Sequence, residues 1–329
     1  MMFLAHALLV LVLAHFLWHS GLFATTRTPL YLAVSAGDLN AVKRLLASGS
    51  KVDIGLRQGP WGFFRSVTPL REAVDKRHEA IVKVLLASGA KPDVAFITLG
   101  PLGLLAAAMP LFSAINFHEV LKALLASGAK PDAGLTLGPL GVLVTWTPLH
   151  AAVTFIHSWG PRREAVVKEL LASGAKPDAG LTFGPLGVLV TWTPLHAASI
   201  GDEAVVKALL ASGAKPDAGV TFGPLGVLQT WTPLHAAATR GNEAVVKALL
   251  ASGAKPDAGV TVGPFGLLST DTPLRAAARE GHDSVVKALL ANGANPKASG
   301  FIWAPTPLKI AEENGHTAVV KVLREALRL

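Results

Sequence analysis

Thr193–Ala198 reads Thr-Pro-Leu-His-Ala-Ala, and Val205–Ala214 reads Val-Val-Lys-Ala-Leu-Leu-Ala-Ser-Gly-Ala. These two stretches decide the fold. In the next copy, Thr232 is placed to cap a first helix, and Pro233 takes the first helical position, where its missing N–H costs nothing. Val205, Val206, Leu209 and Leu210 fall at i, i+1, i+4 and i+5, which makes one apolar stripe on a second helix. Gly213 follows the stripe and suits the left-handed conformation that ends a helix. One such unit cannot bury its stripe alone, so neighbouring units must stack.

Working outward, Thr-Pro-Leu or a close variant recurs at Thr28, Thr68, Met109, Thr147, Thr193, Thr232, Thr272 and Thr306. The successive spacings are 40, 41, 38, 46, 39, 40 and 34 residues. Thr-Pro-Leu-His-Ala-Ala stands intact at Thr147–Ala152, Thr193–Ala198 and Thr232–Ala237. At these positions, and through Val205–Ala214, the chain resembles the ankyrin repeat, over residues 28–329. The resemblance implies an all-α architecture: an ankyrin-repeat solenoid of eight helix-turn-helix units with long β-hairpin fingers. An N-terminal hydrophobic helix over 1–26 precedes the repeats, which fill 27–329.

The chain departs from the family in its connections. An ankyrin repeat runs to about 33 residues, and only the last spacing here, 34, comes close. Six connections carry Gly-Pro-x-Gly, at Gly59–Gly62, Gly100–Gly103, Gly138–Gly141, Gly184–Gly187, Gly223–Gly226 and Gly263–Gly266. Proline second and glycine fourth fit a type I turn, and alternating arms flank it, so each reads as a lengthened hairpin. With a four-residue loop, one face of the fourth finger shows Leu181, Phe183, Val188, Val190 and Trp192. The third shows Leu135, Leu137, Val142, Val144 and Trp146; the fifth Val220, Phe222, Val227, Gln229 and Trp231; the second Ile97, Leu99 and Leu104. Gln58 and Arg65 interrupt the first finger, and Ser269 and Asp271 the sixth. An apolar centre with a polar rim is how a contact surface is graded. The expected protein-binding residues are therefore Leu135, Leu137, Val144, Trp146, Leu181, Phe183, Val190, Trp192, Phe222, Val227 and Trp231. The alternative is that the fingers pack on one another as one sheet.

Two other rows invite chemistry and are read as structural. His150, His196 and His235 sit in successive units about one helix diameter apart, too far to share a metal ion. By the resemblance they are hydrogen-bonding residues. Lys43, Lys83, Lys122, Lys168, Lys207, Lys247, Lys287 and Lys321 form a row on the second helices. Glu79, Glu164, Glu203, Glu243 and Asp283 precede five of these lysines by four residues, the favourable orientation for ion pairs. Lys51, Lys91, Lys130, Lys176, Lys215 and Lys255 are matched two residues later by Asp53, Asp93, Asp132, Asp178, Asp217 and Asp257. These charges cancel locally, which argues against a nucleic-acid stripe.

Thr154–Arg163 lengthens the fourth unit to 46 residues. Trp159, Arg162 and Arg163 within it are of the types that anchor interfaces, although a neutral loop insertion reads as well.

With no cysteine, disulfides, thiolate metal sites and a cysteine nucleophile are excluded. Half the residues are apolar and the net charge is +8. Between Thr25 and Arg71, seven basic residues face only Asp38 and Asp53, an end suited to an acidic partner or an anionic surface. Met1–Thr26 carries no charged side chain, and Met2–Ala24 is long enough for one membrane span. Three readings compete for it: a retained signal-anchor, a cleaved signal peptide, and a half-repeat over Leu8–His19 that caps the stack. If it spans, the basic residues after it place the repeats on the cytoplasmic-type side; if it is cleaved, the protein is secreted or luminal. Residues 94–117 and 133–160 are also uncharged, but they lie in repeat register with Gly-Pro turns inside them, so they read as finger plus first helix.

No phosphate-cradling loop, carboxylate pair or nucleophile–base set stands out, because no Lys-Ser/Thr follows the Gly-Pro turns. The expectation is a non-enzymatic, membrane-tethered scaffold or accessory subunit that binds a protein partner through its apolar fingers. It uses no cofactor, metal, small-molecule substrate or nucleic acid. The alternatives are a self-assembling structural protein and an exported effector.

Overall fold

The computed structural model of the protein describes residues 25–58, 65–94, 96–99, 104–139, 144–155, 161–183, 190–222, 229–262, 268–298 and 304–328. The chain forms two compact units, Met1–Gly141 and Val142–Leu329. In the first, the described elements are β1 (Thr25–Arg27), α1 (Pro29–Ser35), α2 (Leu39–Ala47), β2 (Leu56–Gln58), β3 (Arg65–Val67), α3 (Pro69–Asp75), α4 (Glu79–Ala87), β4 (Phe96–Leu99), β5 (Leu104–Ala108), α5 (Pro110–Ala114), α6 (His118–Ala126) and β6 (Leu135–Pro139). The second holds β7 (Val144–Trp146), α7 (Pro148–Phe155), α8 (Pro161–Ala172), β8 (Leu181–Phe183), β9 (Val190–Trp192), α9 (Pro194–Ser199), α10 (Glu203–Ala211), β10 (Val220–Phe222), β11 (Gln229–Trp231), α11 (Pro233–Thr239) and α12 (Glu243–Ala251). It continues with β12 (Val260–Val262), β13 (Leu268–Asp271), α13 (Pro273–Glu280), α14 (Asp283–Ala291), α15 (Pro307–Glu313) and α16 (Thr317–Leu327).

Within each unit, helix pairs stack in sequence order. The first helix of each pair packs on the first helix of the next, as α9 does on α7 and α11, and second helices do likewise, as α10 does on α8 and α12. The apolar stripe accounts for this. Val205, Val206 and Leu209 are fully buried, as are Val245, Val246 and Leu249 in the next pair. Leu210, at the edge of the stripe, is only half-buried. Gly213 has φ 88°, so the second helix ends as the spacing predicts.

The threonine of Thr-Pro-Leu does two jobs. Thr232 Oγ1 accepts the amide of His235 at 3.2 Å and donates to the carbonyl of Ala258 in the following connection at 2.6 Å. Thr28, Thr147 and Thr193 make the same two bonds, to Ile54, Ala179 and Ala218 on the acceptor side. Met109, which replaces the threonine in the third pair, offers no side-chain cap.

The helical repeat solenoid stands as expected, and its hairpin fingers join. Hairpin arms pair within each finger and also with the neighbouring finger: β1 to β6 run consecutively antiparallel in the first unit. In the second unit β7 to β13 do the same. The spacing explains it. Two strands at about 4.8 Å match one helix diameter of about 10 Å, so a helix pair advances by the width of its own finger. The fingers thus join edge to edge within each unit.

Register differs too. Phe183 pairs with Val190 and Leu181 with Trp192, whereas a four-residue loop would pair Phe183 with Val188. A shift of two leaves the face of every residue unchanged, so Leu181, Phe183, Val190 and Trp192 still share one face. In the second finger Leu99 pairs with Leu105, and a shift of one moves Leu104 off the face of Ile97 and Leu99. Where the arms leave the sheet, Gly219 lies so close to the carbonyl of Trp231 that any Cβ there would collide with it.

The lysine rows separate. Lys168, Lys207, Lys247 and Lys287 pair with Glu164, Glu203, Glu243 and Asp283, all well exposed. The aspartates of the second row do not serve as local counter-charges. Oδ1 of Asp53, Asp93, Asp178 and Asp217 accepts the backbone amide of Lys91, Lys130, Lys215 and Lys255, one repeat on, at 3.0–3.1 Å. The N-terminal run, and with it the expected hydrophobic helix, lies outside the described residues; among those described, no helix is long and apolar enough to cross a membrane.

Candidate functional site

The last residue of each finger and the fourth residue after it, which sits in the first turn of the next helix, form a repeated side-chain pair in the second unit. The pairs are Trp146 with His150, Trp192 with His196, and finally Asp271 with Arg275; Trp231 and His235 hold the same two positions in the sequence. The Thr-Pro step between them turns the chain from strand to helix and sets both side chains on one side.

Trp146 Nε1 donates to Nδ1 of His150 at 2.9 Å. The His150 ring meets Trp192 edge-on at 6.1 Å between centroids, and Trp192 meets His196 the same way at 6.1 Å. The histidines and tryptophans thus alternate along the floor of the stack. Burial, and then the positive potential of His196, push the pKa of His150 down to about 4. Burial and His235 push His196 to about 4 as well, against a hydrogen bond to the Trp231 backbone that favours its charged form. Both are neutral near pH 7.

The column ends on charge. His235 Nε2 lies 3.3 Å from Asp271, Arg279 makes two bonds to the same carboxylate at 2.8 and 3.0 Å, and Nε of buried Arg275 stands 3.3 Å away. Burial works against ionisation of Asp271, but the hydrogen bonds from His235 and Arg279 prevail and hold its carboxyl at about 2.

A groove of about 760 Å³ opens beside this column. Its floor is Trp146, His150, Leu181 and Trp192, and its walls are Val153, Thr154, Ala197 and Ala198. Its rim is Ile200, Gly201, Asp202, Arg163 and Arg240. Arg163 pairs with Asp202 at 3.2 Å, with both side chains largely covered. Ile200 is 39% exposed and Trp231, at the base of the next finger, 41%. In size and lining it has the form usual for binding pockets: concave, mostly apolar, with few polar groups.

The family model for ankyrin repeats matches in three copies, over residues 7–95, 162–260 and 219–300. The chain belongs to the ankyrin-repeat family. No curated protein matches it. Ankyrin repeats are protein-binding modules, and the groove is lined by finger residues and first-helix residues of this chain.

The structure separates the sequence-predicted binding residues of this ankyrin chain. Trp146, Leu181 and Trp192 are brought together on the groove floor, where Leu181 is only 5% exposed. Phe183, Val190 and Phe222 are aligned across neighbouring strands by register. Val144 is half-buried opposite Phe183, and Trp231 is open to solvent. Leu135 and Leu137 belong to the first unit, paired with Ala108 and Ala106. Val227, and Trp159 of the insertion, lie outside the described residues.

Ile200, Arg240 and the Asp271–Arg275–Arg279 cluster were not anticipated. The signal available was repeat-against-repeat variation. Glu203–Thr221 and Glu243–Thr261 are the same nineteen residues, whereas the turns just before them read Ser199-Ile200-Gly201-Asp202 and Thr239-Arg240-Gly241-Asn242. The second helices are copies, and the turns that line the groove are not.

Proposed function

We propose that the protein is a non-enzymatic scaffold that binds another protein through the groove and finger bases of its second unit. The observation that carries this reading is the groove, apolar and open, with Ile200 and Trp231 exposed beside it. Burial of aliphatic and indole surface supplies the affinity, and the sheet of fingers holds Trp146, Trp192 and Trp231 at fixed intervals. The strand register of Phe183, Val190 and Phe222 is consistent with their taking part in the same contact. A photo-crosslinking amino acid at position 200 tests it, with the same group at Leu32, exposed in the first unit, as control. A protein trapped at 200 and not at 32 supports the reading; equal trapping at both, or none, contradicts it.

The division into 1–26 and 27–329 enters through the N-terminal run. Its length and lack of charge favour a membrane tether, which makes the scaffold an accessory subunit at a membrane. The ankyrin match, which begins at residue 7, favours instead a half-repeat that caps the stack. Carbonate extraction of native membranes separates them: a tether stays with the membrane, and a cap leaves the protein in the supernatant.

A further inference from the structure

We infer that the groove of the second unit takes a partner segment in which a large apolar side chain stands close to a carboxylate. The apolar side chain sits against Trp146, Trp192 and Ile200, and the carboxylate pairs with Arg240. This rests on the protein-binding reading above and names the chemistry of the occupant.

Charge decides it. Three charged side chains line the groove, and Arg163 is already neutralised by Asp202 at 3.2 Å. Arg240 is exposed and has no ion-pair partner among the described residues. The histidines beside the floor are neutral, so Arg240 supplies the net charge of the site. An arginine at the edge of an apolar pocket recognises a carboxylate, with a planar fork suited to two hydrogen bonds.

The repeats point to the same two residues. Ile200 and Arg240 each precede the glycine of an inter-helix turn, in adjacent repeats whose second helices are identical. The second helices are identical between these repeats, and the turn positions that line the groove differ. An apolar residue in one turn and a cation in the next set the spacing of the two features the occupant must carry. The exposed lysine row offers no rival site, since Lys168, Lys207 and Lys247 are each held by a glutamate.

The test is selection of a phage-displayed random dodecapeptide library on the full chain, followed by affinity measurement of the selected peptides. The expected peptides share a Leu, Phe or Trp within a few residues of an Asp or Glu. Their binding falls at least about tenfold on Arg240→Glu, and less on Arg240→Gln, as for loss of a contact to a charged partner. Replacing the peptide's acid by Lys restores binding to the Arg240→Glu chain. Ile200→Asp abolishes binding of the same peptides. Both positions are exposed, and melting curves of the variants confirm that the fold is kept. Selected peptides without an acid, an unchanged affinity on Arg240→Glu, or a library that yields no peptide dependent on Ile200 would each overturn the inference. If crosslinking at 200 traps a partner whose affinity ignores Arg240→Glu, this inference fails and the scaffold stands. If nothing is trapped at 200, both fail.

Discussion

Because Trp146 Nε1 donates to Nδ1 of His150 at 2.9 Å, the neutral imidazole carries its proton on Nε2 and its ring is fixed as part of the groove floor. His150 is 1% exposed and His196 4%, so protonating either means placing charge inside the stack. That links the shape of the groove to pH.

The sign follows from the direction of the shifts. Both histidines titrate at about 4 when folded against 6.5 for the free side chain. Above pH 6.5 they are neutral in both states and cost nothing. As pH falls from 6.5 toward 4 the unfolded chain takes up protons first, so stability declines across that window by up to about 3 kcal/mol per histidine. Urea midpoints at pH 7 and pH 5 check this. The midpoint drops at pH 5, and His196→Gln reduces the difference; a midpoint independent of pH contradicts it.

Asp271→Asn should cost about 3 kcal/mol, because it strands Arg275, which is 5% exposed. The other repeats show how to repair it. The double change Asp271→Trp with Arg275→His rebuilds the pair found at Trp192 and His196, and should recover most of the loss. Equilibrium unfolding of the single and double variants decides; a double variant no better than the single shows that the charge cluster is required at that place.

Thr232→Val removes both the helix cap and the bond to the Ala258 carbonyl, and should cost about 2 kcal/mol. The converse is Met109→Thr, which supplies the missing cap of the third helix pair and should add about 1 kcal/mol. Thermal unfolding measures both, and a stabilised Thr232→Val or a destabilised Met109→Thr would contradict the role given to the threonine.

Lys207→Glu and Lys247→Glu should leave melting and partner binding unchanged, since each lysine is 62% exposed in a surface pair. Lost binding would make the lysine row a recognition surface.

What was legible in the sequence was local. The Thr-Pro-Leu caps, the stripe ending at Gly213 and the Gly-Pro turns all act within one repeat, and helices and hairpins appear where they say. What was not legible depends on neighbours. The register of Phe183 on Val190 goes with pairing to adjacent fingers, such as Val190 with Phe222, and could not be read from one finger alone. Asp53 looks like a partner for Lys51, yet its carboxylate reaches the amide of Lys91. Ile200 and Arg240 carry no motif; turn-to-turn variation singles them out in the sequence, and only the groove gives that variation a meaning.

The central claim is that protein binding occurs at the groove and finger bases of the second unit. The most direct measurement is the equilibrium affinity of the partner crosslinked at position 200, read together with melting, for Trp231→Ala and for Leu32→Ala. Trp231 is 41% exposed and Leu32 48%, so the affinity of each variant is read on its folded fraction, as fixed by the melting curve. The account predicts that Trp231→Ala weakens binding by about 2 kcal/mol, roughly thirtyfold, while Leu32→Ala leaves it unchanged. Equal affinities for the wild-type and Trp231→Ala chains would contradict it.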